Sequence, residues 1–235
     1  MSLLATLPAF CPSAEAHVLY GRPTLATFVR GADAIVLAEI TAEATPWVAQ
    51  DQSGRCDALR ARVVETLTPG ALAGDVEFFL HAEGDPRFKV GDRVFLFLER
   101  SDGRPEFAPM KERFPWYSAQ GPGQEWRADG ASADARRAVV RSWLAAQDTQ
   151  AVREVILAQL SSADAGLRQD AIFELVGARS GAGFFSSAED VAPFVALLDG
   201  DTLTPSQARA LRSLLAPYRR LGPGGAVGSR PLPPS

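Results

Sequence analysis

The amino-acid sequence predicts an α+β fold, with an antiparallel β-barrel in the N-terminal half and an α-helical solenoid after it. Three observations carry this. Between Asp33 and Arg100, four β-type segments follow one another, separated by Gly, Pro and Asp stops. After Ser132 the pattern changes, and apolar residues recur at spacings of three and four. Within that helical half, a displacement of 39 residues lays apolar positions on apolar positions.

The first element is a short helix. In Pro23 to Asp33 the apolar residues Leu25, Phe28 and Val29 share one helical face, with Pro23 at the start and Gly31 at the stop. The strands are expected over Asp33–Ala42, Ala58–Gly70, Gly74–His81 and Val90–Arg100. The segment from Glu43 to Arg55 is polar and broken by Pro46 and Gly54, so it reads as a loop or hairpin tip bearing Trp47. In the second strand the alternation slips by one near Val63 and Val64. Such a slip marks a β-bulge, which bends a strand so that a barrel can close.

Strands three and four are almost continuously apolar: Val76, Phe78, Phe79 and Leu80, then Val94 to Leu98. That composition implies burial on both faces, one toward the barrel interior and one toward the helical half. From Pro105 to Gly130 aromatic residues alternate with breakers. Short closing strands are expected at Glu106–Met110, Trp116–Ala119 and Glu125–Ala128, with Asp129-Gly130 as a terminating turn.

Five helix faces follow. They are Val139, Val140, Trp143 and Leu144; Val152, Val155, Ile156 and Leu160; Leu167, Ala171, Ile172, Leu175 and Val176; Val191, Phe194, Val195 and Leu198; and Ala208, Leu211, Leu215 and Tyr218. Thr204-Pro205 is a strong start signal, because Thr caps the first turn and Pro lacks an N–H that would go unpaired there. The displacement of 39 pairs Val152 with Val191, Val155 with Phe194, Ile156 with Val195, Ile172 with Leu211 and Leu175 with Leu214. A two-helix period near forty is a solenoid signature. The expected division is 1–16 as a signal-peptide remnant, 17–130 as the barrel, 131–221 as the helical repeats, and 222–235 as a disordered tail.

At 235 residues with a net charge of −4, the chain can bury a core and has no basic stripe. Nucleic-acid binding, which depends on neutralising phosphates, is therefore not expected. No run reaches the roughly eighteen apolar residues of a membrane helix, so membrane insertion is not expected either. Leu3, Leu4, Leu7 and Phe10 precede Ala14-Glu15-Ala16, whose small residues suit signal-peptidase cleavage before His17. Export to a periplasmic or extracellular space follows, although no Lys or Arg precedes the apolar run. An ordinary unstructured N-terminus is the alternative. Cleavage would leave Cys56 alone, whereas a retained N-terminus would let Cys11 and Cys56 pair in an oxidising compartment. For Cys56 itself, an inert thiol at a strand start is favoured over a reactive one, because no His neighbours it in sequence.

Asp33-Ala-Ile-Val-Leu-Ala-Glu-Ile, then Val63-Val-Glu-Thr-Leu-Thr-Pro-Gly with Gly74-Asp, then Phe88-Lys-Val-Gly-Asp-Arg-Val-Phe-Leu-Phe-Leu resemble the bacterial netrin-like (tissue-inhibitor-of-metalloproteinase-like) domains. The likeness covers about Leu25 to Arg127. It implies an OB-like β-barrel, export, and action through protein contacts. The animal inhibitors present a disulfide-locked N-terminal cysteine to a catalytic zinc. Here the expected mature N-terminus is His17 and no cysteine framework exists, so that mechanism is not carried over. The helical half resembles HEAT-type repeats, which implies a binding surface and no particular chemistry.

Hydrolase, P-loop and zinc-protease motifs are absent from the sequence. No catalytic residues, metal site or cofactor are expected. A His81, Glu83 and Asp85 metal site is weighed against a polar loop, and the loop is preferred. Phe114, Trp116, Tyr117 and Trp126 are the candidate partner-binding residues, since Trp and Tyr dominate binding hot spots. The competing reading has these rings filling the seam between barrel and helices. His17 is a possible N-terminal determinant, whose amine and imidazole could chelate a metal. Arg136, Arg137 and Arg141 form a small basic face. The expected function is a monomeric, exported, non-enzymatic interaction module for an unidentified protein partner, in a bacterial envelope or extracellular space. The alternatives are an inhibitor or regulator of an extracellular protease, a metalloprotease included, and an enzyme built on carboxylates such as Glu83, Asp85 and Glu99.

Overall fold

Strand pairing closes the N-terminal half into a ring. In the computed structural model, β1 (Ala34–Val48), β2 (Arg55–Thr66), β3 (Asp75–Leu80), β4 (Arg93–Arg100) and β5 (Trp116–Ser118) form a closed barrel in the order β1-β2-β3-β5-β4. The structure describes residues 23–49, 55–70, 72–80, 88–118, 120, 126–128, 130–178 and 184–218. The expected signal segment, His17, the His81–Glu83–Asp85 group and the 222–235 tail lie outside these residues. An all-antiparallel barrel was expected, yet β3 and β5 run parallel, Phe79 opposite Tyr117 and Leu80 opposite Ser118. A ring of five strands cannot alternate direction throughout, so one parallel pair is forced.

The bulge lies where the alternation slips. Leu37 pairs with Glu65 and Ala38 with Val63, leaving Val64 as the extra residue, half exposed on the outside. Other boundaries differ from expectation. The loop expected at Glu43 to Arg55 is in part strand: β1 continues to Val48, with Thr45 opposite Ala58 and Trp47 opposite Cys56. Trp47 packs edge-on against Phe114 at 5.5 Å, and this tertiary contact overrides the polar local composition. Pro46 is tolerated because the β1–β4 register ends at Glu39–Arg93, which leaves Pro46 on a one-sided stretch.

The strand expected at Glu106–Met110 is absent. Pro105 instead opens a 3-10 turn over Pro105–Phe107, and Lys111 and Phe114 donate back to Phe107 and Met110. The strand expected at Glu125–Ala128 reduces to a single bridge from Arg127 to Val94. It is flanked by bonds from Phe95 N to Trp126 O (2.8 Å) and from Ala128 N to Arg93 O (2.7 Å).

Six helices are present among the described residues: α1 (Leu25–Gly31), α2 (Ala133–Ala145), α3 (Thr149–Leu160), α4 (Ala165–Ala178), α5 (Ala188–Ala196) and α6 (Pro205–Leu215). Thr204 caps α6 by accepting from Gln207 N at 3.3 Å, and Pro205 is its first residue. Thr24 caps α1 in the same way, so Pro23 stands just outside that helix. Val176, expected in the core, is 46% exposed, while its neighbours Ile172 and Leu175 are buried. No helix of the described residues is long and apolar enough to cross a membrane.

The doubly apolar strands serve two cores. Val36, Ala38, Ile40, Val94, Leu96 and Leu98 point into the barrel with Leu59, Val76 and Phe78. Ile35, Leu37, Phe95 and Phe97 point outward into a larger core with α1 and the five later helices. Phe28 of α1 stacks on Phe97 with ring centroids 5.6 Å apart. The α+β class with a barrel is thus realised, and barrel and helices share apolar packing.

Candidate functional site

The four aromatic residues singled out in the sequence do not form one group. Phe114 and Tyr117 are buried in a small separate cluster with Phe79, Phe107 and Met110. Trp116, half-buried, packs against the barrel interior. Trp126, also half-buried, packs against the core shared with the helices, and Arg136 lies over its ring at 5.9 Å. Of the four, Trp126 alone occupies the seam. Adjacent strand residues point to opposite faces, which separates Trp116 from Tyr117 despite their being neighbours.

The small cluster has a clear local origin. β3 carries Phe79 on its outer face, and the chain between β4 and β5 folds back over it. Ser101 fixes both ends of that excursion, its N–H donating to Pro115 O (3.0 Å) and its hydroxyl to Phe114 O (2.6 Å). Phe107 then meets Phe79 edge-on at 5.1 Å and Tyr117 at 4.4 Å. Trp47 reaches the same cluster from the β1–β2 hairpin. Two connecting segments far apart in sequence therefore meet on one wall of the barrel.

Arginine covers that wall. Arg113 lies over Phe114 at 5.0 Å and Arg104 over Tyr117 at 5.9 Å, while Arg100 lies over Trp116 at 5.6 Å on the other face of β5. The three side chains remain 54%, 50% and 53% exposed. Each is oriented by a carboxylate. Arg100 bonds Asp102 at 2.9 Å, and Arg104 bonds Glu99 at 2.7 Å. Arg113 and Arg60 both hold Glu77, and their hydrogen bonds keep its carboxyl below the ordinary range. Charge is thus largely balanced within the wall, which suits it to a mixed or neutral surface rather than to a polyanion.

Two titratable groups border the cluster. Tyr117 donates a short hydrogen bond to Glu99, and burial followed by the Glu99 carboxylate pushes its phenol up. Both groups favour the neutral phenol, so it acts as an anchor and not as an acid. Burial, followed by the nearby Asp57 charge, pushes the Cys56 thiol up to about 12, well outside the range of an activated cysteine. Cys56 is a free thiol among the described residues.

Glu99, the described member of the carboxylate set, is held by Tyr117 and Arg104. Among the described residues no group of three or more His, Cys, Asp and Glu could hold a metal ion. The basic face is engaged: Arg137 and Arg141 both pair with Glu65 of β2, and Arg136 pairs with Asp164 at 2.6 Å. The continuous apolar run of β3 signals burial on both faces, but its outer face, expected against the helical half, instead packs Phe79 into this wall, because the chain between β4 and β5 folds over it. The Arg–aromatic layer left no sequence signal, because, Arg113 and Phe114 apart, its members are joined only by the closing of β5 onto β3 and β4. Comparison with protein-family models, curated proteins and solved structures finds no match for this chain.

Proposed function

We propose that this chain is an exported, non-enzymatic protein–protein interaction module of a bacterial envelope or extracellular space, and that its partner docks on the arginine-covered aromatic wall. The observation that carries this reading is the pair of half-exposed Arg104 and Arg113 over Tyr117 and Phe114, with Arg100 over Trp116 on the other face of β5. Arg, Trp and Tyr are the residue types most enriched at binding hot spots. Here the guanidinium planes are already oriented by Asp102, Glu99 and Glu77, which lowers the ordering cost of docking.

The barrel is read as OB-like and netrin-like. The ring order with its β3–β5 parallel pair supports this, as does α1 leading directly into β1. The helices are read as two HEAT-like hairpins, α3–α4 and α5–α6. The pairing of like with like supports that: Arg153 of α3 meets Asp190 of α5 at 3.0 Å, and Arg168 of α4 bonds Gln207 of α6 at 3.2 Å. Arg168 and Gln207 are themselves 39 residues apart, the same displacement that aligns the apolar faces.

The test is quantitative capture from the native host with the unaltered chain and with an Arg100→Ala, Arg104→Ala, Arg113→Ala variant. Arg209→Ala, Arg212→Ala is the control on exposed α6 positions. A partner retained by the control and lost by the triple variant supports the reading. Equal recovery with all three contradicts it. The intact mass of the native protein tests export independently, with loss of residues 1–16 expected.

A further inference from the structure

The aromatic wall carries a guanidinium with an unfilled edge. Arg113 lies over Phe114, and its side chain is half-exposed. Among the described residues that side chain donates a single hydrogen bond, from Nη1 to Glu77. A guanidinium has five N–H donors in a fixed fork. Nε and Nη2, whose N–H groups run parallel along one edge, are therefore left over, and that edge matches the two oxygens of a carboxylate. Glu77 does not need them, because Arg60 donates to it from Nε at 2.7 Å and again from Nη2.

The same edge is filled on neighbouring arginines. Arg100 gives Nε and Nη2 to the two oxygens of Asp102, at 3.2 and 2.9 Å. Arg104 gives Nη2 to Glu99, with Glu106 3.9 Å from its Nη1. Glu77 and Glu99 are less exposed than the guanidiniums of Arg60, Arg104 and Arg113 that hold them, so cations form the outer layer of the wall. Beneath Arg113 the floor is apolar: Trp47, half-buried, meets Phe114 edge-on at 5.5 Å. A guanidinium stacked on a ring keeps its fork in one plane, which a lysine ammonium could not reproduce.

We propose that the Nε–Nη2 edge of Arg113 is the receptor for an Asp or Glu side chain of the protein partner, carried next to an apolar residue that covers Trp47. The partner's contact surface is then a single carboxylate in an apolar setting, in keeping with the near-balanced charge of the wall. The inference deepens the docking reading and rests on it for the existence of a partner, whereas its test reads Arg113 itself.

The full chain, isotope-labelled on arginine nitrogen, is titrated with the blocked tripeptide acetyl-Leu-Glu-Leu-amide and followed by nuclear magnetic resonance of the Nε–H groups. The Arg113 signal is assigned by its loss in Arg113→Lys, or in Arg113→Gln should the first variant fail to fold. That signal is expected to move saturably, at a concentration at least about tenfold below that needed by acetyl-Leu-Gln-Leu-amide. The Nε–H of Arg93, which lies outside the wall beside Glu39, should stay in place. No movement, an equal response to both peptides, or a shared movement of Arg93 overturns the proposal. So does tighter binding of acetyl-Leu-Leu with a free terminal carboxylate, which would assign the edge to a chain end. The docking reading is judged separately, by recovery of the captured partner, so either can fail without the other.

Discussion

Phe95 and Leu96 are consecutive residues of β4, both fully buried, and they belong to different cores. Leu96 faces the barrel interior. Phe95 faces the helices. With Phe97 repeating the outward position, β4 joins Ile35 and Leu37 of β1 in the packing that the two halves of the chain share. Its consequences can be measured.

Phe97→Ala removes a buried ring stacked on Phe28 and should cost about 3–5 kcal/mol. Because the side chain lies in the shared core, loss of strand and loss of helix should move together. Urea unfolding followed by far-ultraviolet dichroism and by tryptophan fluorescence should give one coincident transition, shifted equally by both probes. Separate transitions for barrel and helices would contradict the shared core.

Val64 is an extra residue by register and is 47% exposed, so Val64→Thr should change stability by no more than about 0.5 kcal/mol. Deleting Val64 is a different matter. The deletion leaves Glu65 opposite Leu37 and Val63 opposite Ala38, but it removes the bulge that bends β2 so that the barrel can close. The deletion should be strongly destabilising in the same denaturant assay, whereas the substitution is silent.

Asp164 anchors α4 to α2. Burial favours its neutral form, but the hydrogen bond and charge of Arg136, with the amides of Gly166 and Leu167, hold its carboxyl below the ordinary value. The folded value therefore lies under the unfolded one. Its stabilising contribution is complete above the unfolded carboxyl range, at about pH 4, and is lost as pH falls through the folded value. Asp164→Asn should be less stable than the unaltered chain at pH 7, with the gap narrowing below about pH 4. A gap that stays constant with pH would remove the role assigned to Arg136.

Cys56 should resist alkylation. Its thiol is pushed up to about 12, so iodoacetamide at pH 8 should label the folded protein far more slowly than the urea-unfolded one. Mass spectrometry of the tryptic peptide reads the ratio. Equal rates would mean that Cys56 is not sheltered beside Trp47 and Ala58.

What was legible in the sequence follows period and punctuation. The bulge at Val64 showed as a slip in alternation, and the double burial of Val94 to Leu98 showed as a run without polar breaks. Thr204-Pro205 announced α6 by its capping chemistry. The continuation of β1 through Pro46 and Trp47 did not show, because Phe114, from a segment far along the chain, holds that strand in place. The turn at Pro105–Phe107 falls where a strand is expected, because Phe107 suits either state. The arginine layer was the least legible part of the site. Arg113 and Phe114 are neighbours in sequence, but only the return of β5 lays Arg100 over Trp116 and Arg104 over Tyr117.

The most direct test of the docking claim is site-specific photo-crosslinking in the living host, with p-benzoylphenylalanine at Arg113 and, as control, at Arg212 of α6. The account predicts one discrete protein adduct from position 113, found in the envelope or the medium, and none from position 212. No adduct at 113, or the same adducts from both positions, would contradict it.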